Sequence, residues 1–430
     1  MNLLDPASLA FLAALTKDCI EASRVRPGEA VDSQRPANSS GCTLIRPGAR
    51  ACYPAVWVQD YALTLATGFV SIAEMRDHLL LVCRSQNGAQ ERRLENNAII
   101  PPYAVPDHIL FDGQAIFYPG TYASGPQQGG EPWGLLPPVN NHYDFILMAH
   151  QLWLATDDAA FLHDEVAGLT IIERLRRAFL APHADARTGL VHTTAENRAV
   201  GFIFCDSIYM TGNLLFASLL RWRAGQQLAQ LEEAVGEPAR AATWRAAVAP
   251  IPVHLQSTFS DPGRIGGWLM AATGVGRQPD VWGTTYALHL GLLSGEAAAA
   301  AAARAQIVAA LEAGTIAFEG ALRHVPTDHD ASATSAWERT RTPLNTYQNG
   351  AYWHTPTGWM VSALAAHAPT WAKRLFNDMI AHLRREDFRK GPQFNAPWEC
   401  IGREITAYNN PLFLGSITVP YGVLRTSALT

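Results

Sequence analysis

The sequence predicts an all-α fold, a toroid of about twelve helices arranged as six hairpins. Three observations lead there. Apolar residues recur at three- and four-residue spacing along the chain, short connections alternate with long segments rich in Pro, Gly and aromatics, and convincing strand patterns are few. Helices joined closely at one end and by a long loop at the other form hairpins, and a ring of them crowds its long loops around one mouth. With 48% hydrophobic residues over 430 positions the chain can bury a continuous core. No low-complexity linker divides it, so residues 1–430 are expected to form a single domain.

The first helix is predicted over 5–24, with Asp5 as N-cap and Pro6 at the first helical position, where a missing N–H does no harm. The same periodicity predicts helices over 57–84, 139–156, 158–180, 207–226, 237–258, 280–292, 295–313, 356–368 and 369–387. Short connections fall at "ATDD" (155–158) and "SGEA" (294–297), and the alanine run 297–303 reads as helix interior because Ala has the highest helix propensity. The long segments are 86–138, 182–205, 260–282, 314–355 and 388–415. Loops of such length commonly carry function.

Composition narrows the partner. A formal net charge of -5 without basic runs argues against nucleic acid, which demands a basic face. No segment reaches the ~18 uninterrupted apolar residues of a membrane span, and no basic segment precedes the apolar N-terminal stretch. The expected setting is soluble and cytoplasmic. The six cysteines lack C-x-x-C spacing and sit mostly in apolar contexts, so reduced thiols are expected over bridges or zinc ligands. Walker, H-E-x-x-H, G-x-S-x-G and dinucleotide patterns are all missing, no spacing argues for a metal, and no cofactor is expected. The oligomeric state is left open.

What remains are five segments that join aromatics to carboxylates. "YPAVWVQDY" places Trp57, Gln59 and Asp60 at the start of a helix, where a capping role also explains an Asp. "WGLLPPVNNHYDF" sets Pro137 and Pro138 before a helix bearing Asn140, Asn141, His142 and Asp144. "VHTTAENRAVGFIFCDSIYMTGNLLFASLL" carries Glu196 and Asp206, the latter sharing an N-cap role with Ser207. "RQPDVWGTTYALHLGLL" repeats the pairing with Asp280 and Trp282. The fifth joins "YQNGAYWHTPTGWM", with Asn349, Tyr352, Trp353 and Trp359, to "NAPWECIGREITAYNNPLF", where Glu399 follows Trp398 in a loop with few charges.

Sugar chemistry needs this mixture: indole and phenol faces stack on pyranose rings, amides and carboxylates bind hydroxyls, and two carboxyls bracket a scissile bond. In order and character the segments resemble the six-hairpin, (α/α)6-barrel glycosidases, nearest the trehalases and the processing α-glucosidase group with mannosylglycerate and glucosylglycerate hydrolases. "YPAVWVQDY", "LLPPVNNHYD" and "NGAYWHTPTGW" are similar to that group, while "GFIFCDSIYMTGNLLFASLL" and "APWECI" resemble rhamnosidases. The resemblance spans about residues 50 to 425, in short islands.

It implies an inverting, exo-acting hydrolase that removes a terminal glucose- or mannose-like, α-linked sugar from a small glycoside or oligosaccharide. Asp206 would be the acid, with Glu196 and Glu338 as rivals, and Glu399 the base. Trp57, Gln59, Asp60, Asn141, Asp280, Trp282, Asn349, Tyr352, Trp353, Trp359 and Trp398 would contact sugar. An α-L-rhamnosidase-like hydrolase, a sugar epimerase and a non-catalytic sugar-binding protein are the alternatives. An epimerase would need histidines near the sugar, and His142, His192, His289, His324 and His354 are candidates. A polysaccharide lyase would need a basic surface, against which the scarcity of Lys counts.

Overall fold

The computed structural model describes residues 3–32, 35–50, 52–119, 133–260, 266–293, 297–326, 337–404 and 408–427. Its helices are α1 (Pro6–Ala22), α2 (Val58–Thr64), α3 (Ile72–Ser85), α4 (Asn140–Thr156), α5 (Ile171–Leu180), α6 (Leu215–Ala234), α7 (Pro238–Val248), α8 (Pro250–Phe259), α9 (Val281–His289), α10 (Ala297–Glu312), α11 (Thr357–Leu364), α12 (Pro369–Arg385) and α13 (Gly415–Arg425). Six of them close an inner ring: α2 packs on α4, α4 on α6, α6 on α9, α9 on α11, α11 on α13, and α13 back on α2. The others form an outer layer, α7 and α8 sharing one place in it, and α1 packs on α13 and α12 to complete the last hairpin.

Burial explains the division. Every residue from Val281 to Leu288 of α9 is buried, as befits a helix surrounded on all sides. Outer α12 instead buries one stripe, Ala372, Leu375, Phe376, Met379, Ile380 and Leu383. Connections follow the same logic. Those running from an outer to the next inner helix are long, and those from inner to outer are mostly short, so the long loops gather where the inner helices begin. Short antiparallel ladders stiffen them. Ala55–Trp57 pairs with His108–Leu110, Ile208–Tyr209 with Arg339–Thr340, and Trp398–Cys400 with Asn409–Pro411.

Asp5 and Pro6 cap α1 as expected, the Asp5 carboxylate accepting from the Ser8 N–H at 2.9 Å. Several boundaries differ from the sequence reading. The 57–84 helix breaks at Gly68, which takes φ 73, and resumes after a Ser71–Glu74 capping box. "ATDD" does not join two helices directly: Asp157 is a left-handed C-cap, and a 3-10 turn and a two-stranded ladder precede α5. Residues 294–296 of "SGEA" lie outside the described residues. Pro250 divides 237–258 into α7 and α8. The helix expected from 207 begins at Leu215, and Asp206 and Ser207 cap no α-helix; Asp206 closes a 3-10 turn, Ile203–Cys205. Helix α13 is not among the expected helices, its pattern being interrupted by Pro420. All six cysteines are unpaired, four of them buried. No described helix is long and apolar enough to cross a membrane.

Candidate active site

Where the inner helices begin, a cavity of about 300 Å³ opens among the long loops. Three carboxyls line it, Asp60, Asp206 and Glu399, together with Tyr53, Trp57, Phe204, Tyr347 and Phe413, and with Ile203 and Asn410. These residues come from four separate stretches of chain, so only closure of the ring brings them together.

Trp57 precedes α2 as its N-cap residue without a side-chain cap bond, and Asp60 lies in the first turn. Helix-start chemistry does not account for the whole Asp60 carboxyl: its Oδ1 is buried and has no hydrogen-bond partner among the described residues. Burial, and then the nearby charges of Glu399 and Asp107, raise its carboxyl well above the usual range. Trp57 stacks on His108, centroids 4.5 Å apart, and His108 Nδ1 is 2.8 Å from an Asp107 carboxylate oxygen. The indole is thus fixed from behind.

Asp206 is half-buried on the cavity wall, and desolvation by the surrounding protein raises its carboxyl to about 7; an amide hydrogen bond from Gln348 Nε2 at 2.9 Å opposes the shift. Gln348 also donates to the Ile203 carbonyl at 3.1 Å and accepts from the Ser207 N–H at 2.7 Å. One side chain therefore clamps the whole turn. Glu399 sits mid-strand in the Trp398–Cys400 ladder and accepts from Tyr347 Oη at 3.1 Å and Asn410 Nδ2 at 2.5 Å. Burial raises it too to about 7, against the donors Asn410, Tyr53 and Tyr347. Tyr347 and Asn410 hold φ of 43° and 37°, sparsely populated conformations that aim both donors at one carboxylate.

The other sequence-predicted residues do not line this cavity. Gln59 Oε1 accepts from Asn140 Nδ2 at 2.8 Å and from the Ile203 N–H at 3.3 Å, tying α2 to the Asp206 turn. Asn141 donates to Asp107 at 3.4 Å. Asp280 caps α9, accepting from the Gly283 N–H at 2.7 Å, and lies 3.2 Å from His324 Nε2. Trp282 is fully buried, stacked on His324 and edge-on to Trp353. Trp353 backs Phe204 and Tyr347 and donates to the Tyr347 carbonyl at 3.2 Å, and Asn349 donates to the Thr342 carbonyl at 3.0 Å. Tyr352 packs with Phe318, Trp398 with Tyr408, and Trp359 lines a different cavity. Glu196 is an exposed loop carboxylate held below its ordinary range by the Thr194 hydroxyl, and Glu338 accepts from Thr211; neither lines the cavity.

Tyr53, Tyr347, Gln348, Asn410 and Phe413 are not singled out by the sequence, although each lies inside or beside a segment that is. Their signal is adjacency to a chosen carboxylate or indole. Among the described residues no cluster of three metal-binding side chains occurs.

No sequence-family profile and no curated protein matches the chain. Solved structures do. A glycosidase shares 13% identity and a TM-score of 0.53, each chain covered to 99%. The mannosylglycerate hydrolase of Thermus thermophilus, a GH63 enzyme solved with glucose, shares 15% identity and a TM-score of 0.56, over 96% of this chain and 100% of that one. A GH78 rhamnosidase of Bacillus sp. GL1 shares 12% identity and a TM-score of 0.54, over 98% of this chain but 35% of its own. The fold is a six-hairpin, glycosidase-like helical toroid.

Proposed function

We propose that the protein is an inverting, exo-acting glycoside hydrolase that removes a terminal glucose- or mannose-like, α-linked sugar from a small glycoside or oligosaccharide. One observation carries the reading: three desolvated carboxyls from distant segments face one cavity walled by aromatics. Asp60, a cavity-lining carboxyl with an unpartnered oxygen, suits a hydroxyl of the terminal sugar, because a carboxyl oxygen accepts from a hydroxyl and a protonated carboxyl also donates. Trp57 offers a stacking face.

Burial brings both Asp206 and Glu399 to about 7, so titration does not rank them. Hydrogen bonding does. Glu399 is met by the amide of Asn410 and the phenols of Tyr53 and Tyr347, which favour its anion, whereas Asp206 accepts from one amide. The anion-favouring set suits a base that activates water; the other suits an acid that protonates the leaving oxygen. An inverting mechanism expects roughly 6.5–9.5 Å between the two carboxyls, leaving room for the water. No histidine lies among the described cavity-lining residues, which favours hydrolysis over epimerisation. The glucose bound by the mannosylglycerate hydrolase of the same fold supports a hexose-sized substrate.

Proton NMR of the protein mixed with α- and β-linked disaccharides, glycosylglycerates and rhamnosides tests this. An initially inverted anomeric signal from a glucoside or mannoside is expected. Retention, or no cleavage across the panel, would overturn the reading.

A further inference from the structure

The ring has a second cavity, about 270 Å³ in volume, at the mouth toward which the inner helices run, and all six of those helices contribute to its walls. We infer that this opposite mouth is a second binding site, for a small neutral polyol of monosaccharide size. Trp359 and Tyr286, ring centroids 4.7 Å apart, form an aromatic wall, Leu63, Leu147, Val419 and Val423 add apolar surface, and Gln151, Arg223, Gln227, His289 and Thr426 supply the polar groups.

Two of these polar residues carry an unpartnered atom. Arg223 donates through one terminal nitrogen to Asp144 Oδ1 at 3.0 Å and through the other to Tyr286 Oη at 3.0 Å. Its Nε is buried with no acceptor among the described residues, and Gln227 Oε1 is buried with no donor. The two residues lie four apart on α6, hence on one face. One unpartnered donor and one unpartnered acceptor on the same helix face complement a hydroxyl, which can accept from the first and donate to the second. A carboxylate or phosphate can only accept, and an ammonium can only donate. Charge agrees. Arg223 is already neutralised by Asp144, and the inner helices direct their partially negative C-terminal ends toward this side, which disfavours an anion. The volume exceeds what one water fills and falls near the lower limit of ~300 Å³ for ligand pockets, so a single sugar fits better than a chain.

The test uses glycerol and glucose as probes. Protein labelled with nitrogen-15 at tryptophan is titrated to about 100 mM, far enough to register a millimolar site, and the Trp359 indole signal, assigned with Trp359→Phe, is followed. A saturable Trp359 shift is expected in wild type, in Glu399→Gln and in Asp60→Asn. Gln227→Leu, which removes the acceptor at similar size, and Val423→Phe, which fills the cavity, should each weaken binding by about tenfold or more. If Gln227→Leu loses its fold by circular dichroism, Val423→Phe carries the comparison. No shift with either probe, a shift undiminished in both cavity variants, or one that vanishes in Asp60→Asn would overturn the site. Hydrolysis of glycosides is read separately, so failure here leaves the first cavity's assignment standing or falling by its own assay.

Discussion

Glu399 and Asp206 are carboxyls that solvent would hold ionised in mild acid, and burial moves both to about 7. Each therefore needs its own variant. Glu399→Gln should lower the hydrolysis rate by two or more orders of magnitude with little loss of binding, because the amide cannot take a proton from water. Asp206→Asn should be as slow on a poor leaving group yet recover on an aryl glycoside, whose phenolate leaves unprotonated; equal impairment on both substrates would remove Asp206 from the acid role. The kcat/KM profile should be bell-shaped near neutrality, Glu399→Gln abolishing the acidic limb and Asp206→Asn the alkaline one. The same shifts act on stability. Burial favours the protonated form, so the native state holds more protons than the unfolded chain between the ordinary carboxylate range and about 7, and stability falls as pH rises through that window. Both variants should melt higher than wild type at about pH 8, with the gap closing toward about pH 4. At this scale the sequence reveals Asp60, Trp57 and Glu399 as a carboxylate or indole in unusual company. It cannot reveal Tyr347, Gln348 or Asn410, because an amide or phenol becomes part of a site only through the atom it donates to.

Helices are legible in the sequence where one face alone is apolar, as in α12. They are harder to bound in the inner ring, where burial on every side erases the periodicity and the stops come from single residues such as Gly68. The stretch 207–214 imitates a helix because Ile208 and Leu214 are buried in the core without belonging to a helical stripe. Ring closure also depends on a contact that no periodicity encodes. At Gly358 in α11, a Cβ would stand 2.7 Å from Pro420 Cα in α13, far inside van der Waals contact. Backbone cannot yield as a side-chain tip does. Gly358→Ala should therefore push two inner helices apart and cost ~1–3 kcal/mol, read as a lower midpoint in urea unfolding with an unchanged slope. A variant as stable as wild type would mean that the α11–α13 contact tolerates more separation than its geometry implies.

A buried polar column runs through the ring between the two cavities. From Tyr286 Oη it passes to Arg223, to Asp144, to Asn140 Nδ2 at 3.2 Å from Asp144 Oδ2, to Gln59 Oε1 at 2.8 Å, and so to the turn that carries Asp206. Its members come from α9, α6, α4 and α2, so the column forms only when four hairpins are docked. Asp144 is its weak point. Burial raises its carboxyl to about 6 despite Arg223, which leaves an ion pair whose desolvation cost is offset only while both charges are present. Arg223→Met should therefore destabilise by ~3–5 kcal/mol, since it strands Asp144, and should slow hydrolysis as the Gln59–Ile203 bond loosens. Asp144→Asn combined with Arg223→Met removes both charges, and should recover much of the loss while keeping an amide to meet Asn140. Urea unfolding of the two single variants and the double, with hydrolysis measured on each, separates charge from packing. Strictly additive losses in the cycle would show that Asp144 and Arg223 act independently, and the column would then be a row of neighbours and not a coupled unit.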